Sequence, residues 1–172
     1  MFKIWFIRIC FSVMAVFVFI GIISHPVVAQ ENRIEIPSLE VNTEIIPIYI
    51  RPIYGHTTWD TRRLYDNIGH LNGTGWFGQN KNVVLAGHSE TIDRLPNVFY
   101  NLANIEVGAE IYVYANGTAY HYVVTSLEWV VPTDLTSVLP TGHDQLTLIT
   151  CDTDSYDNGT YEKRLVVRAL PA

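Results

Sequence analysis

From Arg33 to Leu170 the chain is a succession of short β-rich runs separated by turn residues, and helical periodicity is nearly absent. Arg33–Ile36 alternates charged and apolar residues before Pro37, and Thr43–Ile48 is a second run. Asn82–Ala86 and Gln145–Thr150 are apolar runs of the kind buried on both faces of a sheet. Glu110–Ala115 and Thr118–Trp129 flank Asn116-Gly117, a strong hairpin signal, and Arg164–Leu170 alternates again. Asn97–Asn104 and Pro132–Leu139 are each expected to form a short helix or a helical turn. About eight strands at this spacing predict an all-β, closed or nearly closed barrel. Asn72-Gly73-Thr74, Asn116-Gly117-Thr118 and Asn158-Gly159-Thr160 match the glycosylation acceptor pattern, yet each reads first as an Asn-Gly turn.

A different kind of segment precedes the strands. Lys3 and Arg8 are followed by about 15 uncharged, mostly apolar residues, Ile9 to Ile23. That pattern fits a signal peptide, with Val27-Val28-Ala29 before Gln30 as a cleavage site, and it fits a membrane anchor. Apolar character extends from Ile4 to Val28, which favours an uncleaved transmembrane helix with Arg8 reaching back to the interface. Positive charge ahead of the segment keeps the N-terminus in the cytoplasm and exports the rest. The expected division is residues 1–30 as signal-anchor and residues 31–172 as one extracytoplasmic catalytic domain.

From Glu31 onward there are nine basic residues against 17 acidic ones, a net charge of −8. Nucleic acid is therefore not an expected partner, since it needs clustered Lys and Arg. Cys10 lies in the apolar segment, which leaves Cys151 as the sole cysteine after it. A lone exported cysteine is either inert in a core or chemically employed. Cys151 ends an apolar run, His88 ends another, and Arg164 opens the last strand. A thiolate nucleophile needs a proton partner, most often histidine, and a nearby cation stabilises developing negative charge. His25, His56, His70, His121 and His143 carry no such motif and are expected to face solvent or line loops.

Thr147-Leu148-Ile149-Thr150-Cys151 resembles the TLxTC signature of sortases, and Ala86-Gly87-His88 resembles their histidine motif. Arg164 follows the cysteine at the spacing of the sortase arginine. Ile34-Glu35-Ile36-Pro37-Ser38-Leu39 resembles the first strand of that family, and Val131-Pro132-Thr133-Asp134 the segment before its cysteine strand. The resemblance implies an eight-stranded barrel that cuts an LPxTG-like sorting signal on surface proteins between Thr and Gly. It implies Cys151 as nucleophile, His88 as proton carrier and Arg164 as holder of substrate backbone or oxyanion. The acceptor it implies is an amine of a peptidoglycan precursor or a pilin-like lysine.

No cofactor or metal is expected. Asp152, Asp154 and Asp157 read as a solvated loop, and the stretch Gly75 to Asn82 lacks the acidic residues of calcium-dependent sortases. Trp59-Asp60 is placed to approach the site without the usual lid pattern, and no second apolar segment follows Leu170. The region from Trp59 to Thr74 resembles classes D to F more than the pilus-polymerising class. Two other functions compete: an exported cysteine peptidase or amidase acting on peptidoglycan, and a wall-binding β domain in which Cys151 only packs.

Overall fold

The structure, a computed structural model, describes residues 32–172; the predicted membrane segment, with Cys10 and His25, lies outside the described residues. Twelve strands run in chain order: β1 (Arg33–Ile36), β2 (Val41–Ile48), β3 (Ile50–Ile53), β4 (His56–Trp59), β5 (Ile68–Leu71) and β6 (Asn82–Ala86). They continue as β7 (Glu110–Ala115), β8 (Thr118–Val130), β9 (Gln145–Cys151), β10 (Tyr156–Asp157), β11 (Thr160–Tyr161) and β12 (Arg164–Pro171). Eight of them close into a barrel in the order β1-β2-β5-β6-β9-β12-β8-β7. A closed or nearly closed barrel was predicted from the strand spacing, and seven of its strands coincide with the predicted runs. The eighth, β5, was not foreseen.

Neighbouring strands are antiparallel except β2 with β5 and β6 with β9. Parallel neighbours need a crossover between them, and the second of these, from β6 to β9, runs through β7 and β8. The first connection, after β2, holds β3 and β4, which pair only with each other. The interior is filled by alternating residues of each strand, among them Ile34 and Ile36 of β1, Leu146 and Leu148 of β9, and Leu165 and Val167 of β12. A second, smaller cluster lies on the outer face, where Val84 of β6 packs with Ile48, Leu64 and Leu71 against Trp59, Ala86, Val138 and Ile149. Apolar residues on both faces explain why β6 and β9 read as continuous hydrophobic runs rather than alternating ones.

Asn116-Gly117 takes positive φ at both residues (49° and 81°) and joins β7 to β8 as a two-residue turn. Asn158-Gly159 does the same between β10 and β11 (47° and 88°). Gly73, at φ 99°, lets Thr74 N–H reach the Leu71 carbonyl at 3.1 Å. All three Asn-Gly pairs thus serve as turns. The predicted helical stretches are mostly turns, with short 3-10 segments at Leu102–Asn104 and Thr136–Val138. No described helix is long and apolar enough to cross a membrane.

Candidate active site

Strand register places the three sequence-predicted residues. The parallel pairing of β6 with β9 sets Asn82 against Gln145 and Ala86 against Ile149. Gly87 N–H continues that ladder by donating to the Ile149 carbonyl at 3.1 Å. Carried two residues past Ala86, the same offset puts His88 level with Cys151. On the other side of β9, the antiparallel pairing with β12 makes Cys151 and Arg164 direct partners. Three adjacent strands therefore deliver histidine, cysteine and arginine side by side at one end of the barrel. All three side chains are half-buried and line one cleft of about 480 Å³. Ala86, Ile149 and Val166 give that cleft apolar surface, while Tyr54 and Trp59 flank it from the β3–β4 side and Pro132 and Leu135 from the β8–β9 loop.

Local packing fixes how each residue arrives. A Cβ at Gly87 would come within 2.6 Å of the Phe99 ring, so only glycine lets the core close under the backbone before His88. Phe99 N–H donates to the His88 carbonyl at 2.9 Å, and the buried Thr150 hydroxyl donates to the Gly87 carbonyl at 2.9 Å. The His88 ring has Nε2 at 2.9 Å from the Thr61 carbonyl. A carbonyl only accepts, so this contact puts the proton on Nε2 and leaves Nδ1 of the neutral ring as its base.

Cys151 is a free thiol. Burial pushes its pKa above the ordinary 9.0, Arg164 opposes that shift, and the carboxylate of Glu90 adds to it. Arg164 donates through Nη1 to the carbonyls of Tyr161 and Lys163, each at 3.1 Å. Among the described residues no carboxylate forms an ion pair with it. Arg168 lies opposite Thr147, four positions further along β12, and its Nη2 pairs with Glu128 of β8 at 2.5 Å.

Sequence reasoning missed several neighbours of the site. Thr61 carried no signal, because its contribution is a backbone carbonyl. Glu90, two residues beyond His88, has a carboxyl group that accepts from the Tyr161 hydroxyl at 2.7 Å. Of the Trp59-Asp60 pair, Trp59 lines the cleft, whereas Asp60 is gripped by Arg62 through two contacts of 2.8 Å. The acidic loop is tied up locally: Asp152 caps the turn Thr153–Ser155, and Asp157 accepts from Asn158 at 2.9 Å. One histidine departs from expectation. His70 is not in a loop but buried in β5, with Nε2 2.7 Å from the Gly75 carbonyl.

The chain has relatives in both sequence and fold. A family model described as the sortase domain matches residues 34–172. Sortase A of Staphylococcus aureus is 39% identical over 89 residues, which cover 50% of this chain and 42% of that protein. Sortase A of Bacillus anthracis is 37% identical over 70 residues, covering 41% of this chain and 32% of that protein. The matched stretches thus span less than half the length of these curated relatives. Among solved structures, a lid mutant of sortase A from Corynebacterium diphtheriae superposes with a TM-score of 0.66 at 27% identity, covering 83% of this chain and 70% of that one. Sortase C-1 from Actinomyces oris gives 0.66 at 29% identity, covering 82% and 73%. A sortase D5 transpeptidase from Clostridium perfringens gives 0.64 at 25%, covering 83% and 79%. Similarity is spread evenly over sortases named A, C and D5, so it marks the family and no class within it.

Proposed function

The chain belongs to the sortase family, and from that membership we propose that it is a cysteine transpeptidase with Cys151, His88 and Arg164 as its reacting group. Its substrate is a surface protein bearing an LPxTG-like C-terminal signal. Cys151 Sγ attacks the Thr carbonyl carbon, the Thr–Gly C–N bond breaks, and His88 gives the departing Gly amine its proton. An amine of a peptidoglycan precursor or a pilin-like lysine then attacks the thioester. That amine loses a proton to His88, the C–S bond breaks, and the departing Cys151 sulfur takes that proton from His88 to leave as the free thiol. Arg164 holds the substrate backbone or the oxyanion through both steps. The domain works outside the cytoplasmic membrane, held there by an uncleaved segment within residues 1–30.

The observation that carries this reading is the alignment of the three residues across β6, β9 and β12 in one cleft. The raised thiol pKa adds to it: Cys151 rests protonated, and His88, in the same cleft, offers a ring nitrogen to take that proton when a carbonyl is presented. The apolar cleft surface suits the Leu and Pro of a sorting signal. A cysteine peptidase or amidase acting on peptidoglycan is the rival, but such enzymes commonly place the cysteine at a helix N-terminus, whereas Cys151 ends a strand. Incubating the full chain in detergent with an LPxTG-like peptide and a small amine, read by mass spectrometry, decides between them. Transfer of the Thr carbonyl to the amine is expected. No cleavage, or release of the free acid alone in excess amine, overturns the proposal.

A further inference from the structure

Two loops leave the site: residues 89–98 after His88, and residues 152–163 between Cys151 and Arg164. No backbone hydrogen bond joins these two loops. Their contact runs through side chains. Glu90 Oε2 accepts from the Tyr161 hydroxyl at 2.7 Å and lies 3.2 Å from Arg94 Nη1. The Arg94 guanidinium in turn sits over the Tyr156 ring, 3.7 Å from its centre, with the Tyr161 ring centre at 5.5 Å. The Glu90 side chain is only 6% exposed, a position a carboxylate tolerates only when paired and hydrogen-bonded. Arg94 holds φ at +62°, a region that residues with side chains rarely occupy. Such backbone persists where its surroundings over-determine it, often close to a functional site.

We propose that Glu90 is a positioning residue for the reaction at Cys151: by gripping the Tyr161 hydroxyl it fixes the segment whose carbonyls hold the Arg164 guanidinium. The link is short. Tyr161 offers its ring hydroxyl to Glu90 and its backbone carbonyl to Arg164, the latter at 3.1 Å. Glu90 follows His88 by one intervening residue, so a single carboxylate couples the histidine side of the cleft to the arginine side. Cys151 lies between them and feels both charges, Arg164 drawing its pKa down and Glu90 raising it. This inference rests on the transpeptidase reading given above.

The test uses the full chain in detergent, with an LPxTG-like peptide and a small amine as substrates. Iodoacetamide labelling of Cys151 against pH, resolved from Cys10 by peptide mass, supplies a readout that needs no substrate. Tyr161→Phe and Glu90→Ala each break the grip and are expected to lower kcat about 10-fold or more, with KM within about two-fold. Because both remove one contact, the double variant loses no more than the worse single one. Glu90→Gln keeps an oxygen for the Tyr161 hydroxyl and retains most of kcat. The labelling midpoint moves up in Tyr161→Phe, where Arg164 slackens, and down in Glu90→Gln, where a negative charge is gone. Losses that multiply in the double variant, or a Tyr161→Phe enzyme with unchanged kcat and midpoint, overturn the proposal. A wild-type chain that transfers no peptide sinks the transpeptidase reading instead, and an unshifted midpoint in Tyr161→Phe then still overturns the positioning role.

Discussion

A thiol raised above its ordinary pKa is almost wholly protonated in neutral water, so Cys151 becomes a nucleophile only by handing its proton on. Cys151→Ala removes the proposed nucleophile and is expected to abolish cleavage and transfer while the barrel still folds; residual turnover in a purified variant would show another nucleophile. The choice of cation follows from register. Arg164 and Arg168 share a face of β12, and sequence alternation alone does not separate them. Position along the strand does, since Arg164 pairs with Cys151 while Arg168 stands at Thr147, roughly 13 Å further on at about 3.3 Å per residue. Arg168 is moreover committed to Glu128. Lysine at position 164 keeps the charge but loses the planar fork. Arg164→Lys is expected to cost on the order of 2–4 kcal/mol in the transition state, roughly 30- to 1000-fold in rate, and Arg168→Lys much less. Kinetics on one peptide decide it, and equal losses would mean that the wrong arginine has been chosen. The candidate site was legible because each of its three residues ends or opens a strand with a strong local pattern. Glu90 and Tyr161 were not, since a carboxylate and a phenol acquire meaning only when two loops far apart in sequence meet.

At the level of elements, local chemistry decided what could be read in advance. The β7–β8 hairpin announces itself because Asn and Gly both accept positive φ. The β3–β4 hairpin makes the same turn at Tyr54-Gly55, with φ of 49° and 83°, but tyrosine gives no turn signal. β5 is four residues long with Gly69-His70 at its centre, so neither alternation nor an apolar run marks it. Tertiary burial makes β5 a strand, whereas β3 and β4 are largely exposed and pair only with each other. Trp59 then fastens β4 to the barrel: its ring joins the outer cluster, and its indole N–H donates to the Asn72 carbonyl at 3.0 Å. Trp59→Ala is expected to cost about 2 kcal/mol, as for a partly buried aromatic, and to raise the KM for peptide, since β3 and β4 wall the cleft. A lowered KM would show instead that the hairpin obstructs the groove. β5 also brings a pH dependence. Burial lowers the pKa of His70 below its ordinary 6.5, with the Gly75 hydrogen bond opposing the shift. The unfolded chain therefore binds a proton before the folded one does, so this contribution is whole above about pH 6.5 and fades as pH falls. Melting curves from pH 8 to pH 5 should show a declining midpoint, with a shallower decline in His70→Gln; identical slopes would remove His70 from the account.

On the scale of the whole molecule, the candidate site lies at one end of the barrel, and its presentation depends on the segment that precedes the barrel. The described domain holds none of the long apolar stretch, which is confined to the first 30 residues. Fifteen uncharged residues from Ile9 to Ile23 would, as a helix, measure roughly 22 Å, short of the ~30 Å hydrocarbon core. Counted from Ile4 to Val28 the length becomes roughly 37 Å, enough to span with some tilt, provided that Arg8 extends its charge to the headgroups. The same stretch would be a serviceable signal peptide, so length alone does not decide between anchor and cleavage. One feature favours the anchor: the apolar character runs past the Ser24-His25-Pro26 break to Val28. In bacterial cells the full chain is therefore expected to sediment with membranes, resist extraction by high salt, yield to detergent, and be digested by protease added outside. Phe17→Asp, placing a charge mid-span at a cost of about 2.5–3.5 kcal/mol, should reduce the membrane-bound fraction. N-terminal sequencing gives the decisive reading, because a mature chain beginning at Gln30 would establish cleavage and a released enzyme.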